Sequence, residues 1–527
     1  MNASSPGKTL MTSIKGLLSS QEPDANAQGE GLSSWVQSVP IGQPEHVVRG
    51  FIEQVIIIRQ ERQNVRAQFK QLEILLKGAE PHIRELEALL DQSSLPLSTQ
   101  NREIATTVDS LLKAFSQTYY ELAETLGSKW FRVLHARQQP LAALRAAQLI
   151  HRRAQIAYRV YSNGSAQRWK QYRALLTMNE EATRDSKDET SVSSAESLSR
   201  IVVQSCLIAL TDPTTLNEED ITRVRLYCER YGHLAVLGAT SPSAEAATAG
   251  VFILTDHKRG PHRPKAELPA LGKCHYLDTR PLLHKLQQQV QGLRAGTPPS
   301  RLGLPGTANE PSYLALLERC YAQWSEPQQR RHMRNGVRPH ADLVSGFDAV
   351  YRFVAQNALS RRKTDESKKD ADLPISEWSI IDQSEGGFGL QFINGHAGAI
   401  SVGEVVALRF KERAAVAICI ARRARNVSGS EFEIGLELLA EKAVATHTTR
   451  QVPDSASPKP DPDSPALLLP RLANGHKCPG VVLPTGRSKL PIEFTVRSNG
   501  TPVRLVGDAS LEHLASCELL KLKPTRI

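Results

Sequence analysis

The sequence predicts a multidomain α+β protein: an N-terminal helical bundle, a small α+β module, and two β-rich units toward the C-terminus. Three observations carry that prediction. At 527 residues the chain is too long for one apolar core, and about 150 residues per domain gives three or four units. Apolar residues recur at three- and four-residue steps through the first third, whereas short strand-like runs dominate after Ile380. Gly and Pro collect at junctions between these stretches, which marks boundaries and rules out a fibrous repeat.

Residues 1–44, rich in Ser, Gly and Gln, are expected to be a disordered arm. They have no apolar segment of signal-peptide length, and nothing later reaches about 18 apolar residues, so a soluble, cytoplasmic protein without a transmembrane segment is expected. Residues 45–177 form the bundle. Ile104, Val108, Leu111, Phe115, Tyr119 and Leu122 lie on one helical stripe, as do Phe69, Leu72 and Leu76, then Ile83, Leu86 and Leu90. Pro96, Gly127 and Gly164 mark reversals or a kink.

The last helical stretch carries Arg137, Arg145, Arg152, Arg153, Arg159, Arg168 and Arg173. Such a run can be read as a nucleic-acid face. A solvated helix surface is the favoured reading, because Tyr158, Tyr161, Trp169 and Tyr172 fall near one stripe and pack inward, leaving no stacking platform. Nucleic acid is therefore not expected as a partner. The bundle instead offers a surface for homo-oligomerisation or for docking a protein.

Residues 178–197, acidic and rich in Ser and Thr, read as a flexible linker. Residues 198–295 read as the α+β module: an apolar helix from Leu198, a turn at Pro213, a helix capped by Asn217, strands at Gly250–Leu254 and Cys274–Leu277, and a helix entered through Pro281. His257, His262 and His275 lack HExxH or HxH spacing, so no metal is expected. The seven cysteines are scattered without a CxxC, which indicates neither zinc nor a disulfide framework and fits a reducing compartment. Residues 296–325 read as a Gly/Pro-rich linker and a short helix, 446–466 as a Pro-rich linker, and 467–527 as a small β unit.

Chemistry concentrates between the two linkers. Arg330-Arg331-His332-Met333-Arg334 supplies guanidinium planes that fork onto guanine O6 and N7, stack on a base or clamp phosphate. Downstream, Asp382-Gln383-Ser384-Glu385-Gly386-Gly387 supplies a carboxylate able to accept from guanine N1–H and N2–H, a hydroxyl, and glycines that admit a ligand close to the backbone. Alone, the arginines are an exposed basic run and the second motif is a β-turn. In this order, ahead of strand-like segments, they point to a guanine dinucleotide. The net charge of +10 is consistent with an anionic ligand.

At these residues the chain resembles the PilZ family of bacterial cyclic di-GMP receptors, with RxxxR at Arg330 and Arg334 and (D/N)xSxxG at Asp382, Ser384 and Gly387. The pattern also fits Arg334 and Arg338, so Arg331 and Arg338 stand in reserve. The resemblance covers residues 326–445 and implies a six-stranded antiparallel β-barrel with cyclic di-GMP as ligand. Arg330 and Arg334 would stack on guanine and contact phosphate; Asp382, Ser384 and Gly387 would read a guanine edge. A basic insertion, residues 361–370, accounts for the long gap between the motifs. No nucleophile elbow, P-loop or kinase set is present, and Gly386-Gly387-Phe388-Gly389 leads into a strand, not a helix, so neither an enzyme, a cofactor nor a Rossmann site is expected. The expectation is a cyclic di-GMP effector that relays to a protein partner; the alternative is a PilZ-like adaptor that binds no nucleotide.

Overall fold

The computed structural model describes residues 31–39, 44–60, 64–90, 95–127, 137–184, 189–241, 249–255, 260–264, 274–326, 339–360, 373–396, 400–411, 415–428, 431–450, 464–473, 478–484, 492–498, 501–514 and 516–524. The helical unit comprises α1 (Pro44–Gln60), α2 (Val65–Leu90), α3 (Thr99–Gly127), α4 (Gln138–Arg159) and α5 (Gln167–Arg184); of the stretch expected to be a disordered arm, residues 31–38 are also helical, because Trp35 packs edge-on against Phe51 of α1. The stripe from Ile104 to Leu122 is buried along α3. It faces α4, where Ala142, Ala143, Ala146 and Ala147 are fully buried. Small side chains there let the two helix backbones approach closely.

Gly164 takes a φ of 64° between α4 and α5. A side chain there would run into Arg168, whose guanidinium donates to Asn163 O at 2.9 Å and Tyr158 Oη at 2.8 Å. The arginine-rich stretch is tied into the bundle. Arg145 pairs with Glu73, Arg152 with Glu80 and Glu87, and Arg153 with Asp109. Tyr158, Tyr161, Trp169 and Tyr172 are all buried.

The stretch expected to be a flexible linker is helical on both sides of 185–188: α5 runs to Arg184, and α6 (Glu189–Leu210) begins well before Leu198. The unfavourable helix propensity of its Ser and Thr residues is small per position, and packing of the amphipathic face beyond it prevails. Helix α6 then packs on α4, where His151 Nδ1 lies 2.6 Å from Ser205 Oγ and Gln155 Nε2 lies 2.8 Å from His151 Nε2. Because Gln155 donates to Nε2, the proton of the neutral ring sits on Nδ1 and is given to Ser205.

His151 keeps some surface exposure, yet the protein packed around the ring, with the charges of Arg225 and Arg168 adding, pushes it down to about 4. The unfolded chain protonates near the ordinary value of about 6.5. Stability is therefore full above that pH and is lost as pH falls toward 4. Between pH 7 and 5.5 the helical unit should lose about 1 kcal/mol. Amide exchange along α4 and α6 at the two pH values, corrected for intrinsic rates, reads this loss, and His151→Gln should remove most of it.

Helix α7 (Glu218–Tyr231) starts at Asn217, whose side chain accepts from Asp220 N at 2.7 Å. It leads into a three-stranded antiparallel sheet in the order β1 (Val236–Gly238), β3 (Cys274–Asp278), β2 (Val251–Thr255), followed by α8 (Arg280–Arg294) and α9 (Pro311–Ser325). This module is not independent of the bundle. Trp324, fully buried on α9, donates from Nε1 to Leu207 O on α6 at 2.9 Å, and one continuous apolar core joins bundle and module.

Two closed six-stranded antiparallel barrels follow. The first is ordered β4 (His340–Ser345), β5 (Ser376–Ser384), β6 (Gly387–Gly395), β9 (Glu431–Ala440), β8 (Val416–Ser428), β7 (Val405–Phe410). Its interior is centred on fully buried Trp378, edge-on to Phe392 and Phe432. Between β4 and β5 lies α10 (Phe347–Ser360), a helix that sequence reading had not separated from the basic insertion, which itself lies outside the described residues. Its Phe347, Val350, Phe353 and Val354 are buried against Val405, Ile418 and Ile420 of the first barrel and against Leu467 and Leu469 of the second.

The second barrel is ordered β10 (Val444–Arg450), β11 (Ser464–Leu469), β12 (Gly480–Pro484), β15 (Cys517–Pro524), β14 (Thr501–His513), β13 (Ile492–Ser498). Numbered within each barrel, both run 1-2-3-6-5-4, so the expected small β unit repeats the topology of the first barrel. The Pro-rich stretch expected to be a linker over 446–466 is flanked by β10 and β11, which pair with each other from Val444↔Leu468 to Thr448↔Ser464. Its ends are therefore strand, because each is the other's ladder partner and β13 closes the barrel on the other edge of β10.

Candidate functional site

The hairpin β5–β6 turns through Glu385 and Gly386, with Ser384 opposite Gly387. A register shift at Ile381 sets Asp382 opposite Gly389. Without that bulge, Asp382 and the inward-facing Ile380 could not occupy successive rows of the sheet. Ile380, Leu390 and Ile434 form one row and are buried in the barrel; Phe388, Leu436 and Ala421 form another. The row between them faces outward: Asp382 on β5, Gly389 on β6, Gly435 on β9 and Arg423 on β8. It crosses three strand spacings, about 14 Å.

Two adjacent glycines make the centre of this row a floor without side chains. At one end the Asp382 carboxylate leans over Gly389, so that a Cβ there would stand 2.5 Å from Oδ1. At the other, a Cβ on Gly435 would stand 3.3 Å from Arg423 Cβ. The floor is thus bounded by a carboxylate at one end and by the base of the Arg423 side chain at the other; a carboxylate matches the N–H donors of a guanine nucleotide, and a guanidinium its O6/N7 or phosphate acceptors.

The neighbouring outward row runs Ser384, Gly387, Glu437. Ser384 Oγ lies 3.4 Å from Gly387 O, and Leu438 N donates to Gly386 O at 2.9 Å, which ties the turn to β9. Gly387 has a φ of 156°, and a Cβ there would lie 1.9 Å from Leu436 O. Glu437 accepts from Arg422 Nε at 2.6 Å, and Arg422 also pairs with Glu512 of the second barrel. That bridge ties the second barrel to β8 and β9 of the first.

Asp382, Ser384 and Gly387 are thus brought together on one hairpin, with both side chains half-buried. Arg330, Arg331, Arg334 and Arg338 lie outside the described residues. Sequence reading missed Gly389, Gly435 and Arg423. Gly435 carried a usable signal: it sits at an outward position in the alternation Glu433-Ile434-Gly435-Leu436-Glu437, where glycine in a strand marks close approach of a ligand or backbone.

Of the three histidines considered as metal ligands, His275 pairs with Glu180 at 3.0 Å, His262 Nδ1 lies 2.9 Å from Gly260 O, and His257 lies outside the described residues. Among the described residues no group of three or more His, Cys, Asp or Glu is placed to hold a metal, and no helix is long and apolar enough to cross a membrane.

Comparison with known families gives two matches. Residues 30–243 match the family described as cyclic-di-GMP receptor FimW, N-terminal domain, and residues 355–444 match cyclic-di-GMP receptor FimW, middle PilZ domain. Together they span more than half of the chain. The second match includes Asp382, Ser384, Gly387 and strands β5 to β9, while β4 precedes it. No curated protein matches the chain. Motif, barrel topology and family match agree, and residues 355–444 are a PilZ domain.

Proposed function

We propose that this protein is a cyclic di-GMP-binding effector that passes ligand occupancy to a partner through its helical and α+β units. The observation that carries the reading is the row Asp382, Gly389, Gly435, Arg423 on the outer face of the PilZ barrel. Once the Asp382 carboxylate swings off Gly389, a floor without side chains admits a planar base and the carboxylate accepts from its N1–H and N2–H, which only guanine among the common bases presents together. Arg330 and Arg334, or Arg334 and Arg338, supply the stacking and phosphate contacts. Ser384 and Gly387 complete the edge beside the base. The matches to two domains named for a cyclic-di-GMP receptor support the same ligand.

Relay requires that the ligand favour one arrangement of the units over another. Contacts between the first barrel and the helical unit support this reading: Asn426 N donates to Tyr161 O at 2.9 Å and Ile400 bridges to Leu95. Calorimetric titration of the full chain with cyclic di-GMP, with cyclic di-AMP as control, tests the reading. Selective binding should weaken about tenfold or more in Asp382→Ala, the loss of hydrogen bonds to a charged acceptor, and also in Arg334→Ala. A folded chain that takes up no nucleotide would instead be a protein-interaction adaptor.

A further inference from the structure

We infer that Arg423 is shared between the ligand and the helical unit, and that its transfer from one to the other is the step by which cyclic di-GMP is sensed. The inference rests on the function proposed above. Arg423 stands at the end of the glycine floor on β8, but its guanidinium is engaged on the far side of a unit boundary. Nε donates to Thr214 Oγ1 at 3.0 Å, and Nη2 lies 3.4 Å from Asp212 Oδ2.

Both partners belong to the turn between α6 and α7. That turn is built to present them. Asp212 is held at a φ of 51°, a left-handed conformation that Asp tolerates better than most residues. Thr214 Oγ1 donates to Asp212 Oδ1 at 2.6 Å, which leaves the Thr214 oxygen free to accept from Arg423. Thr215 N and Oγ1 both donate to Asp212 O, at 2.9 and 2.6 Å, and Arg319 of α9 donates to Thr215 Oγ1. A preformed acceptor pair thus holds the guanidinium of a side chain whose Cβ borders the glycine floor.

The strengths allow exchange. Arg423 and Asp212 are each 41% exposed, and an exposed pair of this kind changes an equilibrium at most about fivefold. A bidentate contact to phosphate, or to guanine O6 and N7, is stronger. Ligand on the floor therefore takes the guanidinium from the turn, and α6 and α7 lose their tie to β8 at Thr214. Coupling of this sort is reciprocal: whatever loosens the turn's hold must tighten the ligand.

Reciprocity supplies the test, made on the full chain with cyclic di-GMP. Arg423→Ala should weaken binding about tenfold, with Arg423→Lys intermediate because it keeps charge without the fork. Asp212→Asn combined with Thr214→Val should tighten binding about two- to fivefold, a gain that a damaged site could not produce. In the wild-type chain, saturating ligand should speed amide exchange over residues 211–216, and in Arg423→Ala it should not. If the wild-type chain binds ligand while these variants leave affinity unchanged and exchange at 211–216 does not respond, Arg423 is only a structural tie and the inference falls with the ligand reading intact. If the wild-type chain binds no cyclic di-GMP, both fall together.

Discussion

Replacing Gly387 with alanine is expected to destabilise the β6–β9 pairing of the PilZ barrel by roughly 3–5 kcal/mol. Two costs combine. The φ of 156° belongs to a region that only glycine occupies readily. Independently, the added Cβ would lie 1.9 Å from Leu436 O and 3.1 Å from Glu437 Cα. These are backbone atoms of β9, so relief requires β6 and β9 to separate, which breaks the pairing Gly387↔Glu437 and the bond from Leu438 N to Gly386 O. A chain of several units does not unfold in one step, so the readout is amide exchange of β6 and β9 compared with α3 as an internal control. Protection should collapse in the sheet and persist in the helix. A loss below about 1 kcal/mol would mean that the hairpin does not take this backbone.

Gly387 was one of the features legible in the sequence, and the reason it was legible is instructive. Turn chemistry is local: Ser384, Gly386 and Gly387 lie within four positions, and their backbone preferences can be read without knowing the fold. The same holds for the stripe Ile104 to Leu122, whose spacing is the spacing of α3. What was not legible depends on pairings between distant residues. Gly435 becomes half of a glycine floor only because β9 lies against β6, and Arg423 borders it only because β8 follows β9 in the sheet. Nothing near residue 423 in the sequence announces Thr214 as its partner, over two hundred positions away.

Composition misled in two places for a related reason. Ser, Thr and Glu over 178–197 suggested a flexible segment, but helices enter it from both sides because their apolar faces are buried beyond it. Likewise the Pro-rich stretch before residue 466 suggested a simple connection. Closure of the second barrel recruits β10 ahead of that stretch through pairs such as Thr448↔Val496. The duplicated strand order has no counterpart in the motif. The connection of β11 to β12 carries Asn474, Gly475 and His476 where the first barrel has Asp382-x-Ser384-x-x-Gly387. The second barrel keeps the strand order without the Asp382-x-Ser384-x-x-Gly387 hairpin, and Arg422 binds it to the barrel that has it through Glu437 and Glu512.

Gly389→Val is expected to do the opposite of the Gly387 substitution, abolishing ligand binding while leaving the fold in place. Gly389 has no positive φ, and valine is well suited to a strand. The obstacle to its Cβ is not backbone but the Asp382 side chain, with Oδ1 at 2.5 Å and Cγ at 2.8 Å. That side chain can rotate away, so the barrel survives. The displaced carboxylate no longer meets a base, and the new methyl groups stand on the floor where the base would lie. Losing the charged hydrogen bonds alone weakens binding about 10- to 100-fold. Obstruction adds to this, so affinity should fall at least a hundredfold. Calorimetry with cyclic di-GMP and amide exchange of β6 would be run on the same preparation. Lost binding with protected β6 amides identifies the glycine floor as the ligand surface. Retained binding with those amides protected would place the ligand elsewhere on the barrel and leave Asp382 a structural acceptor.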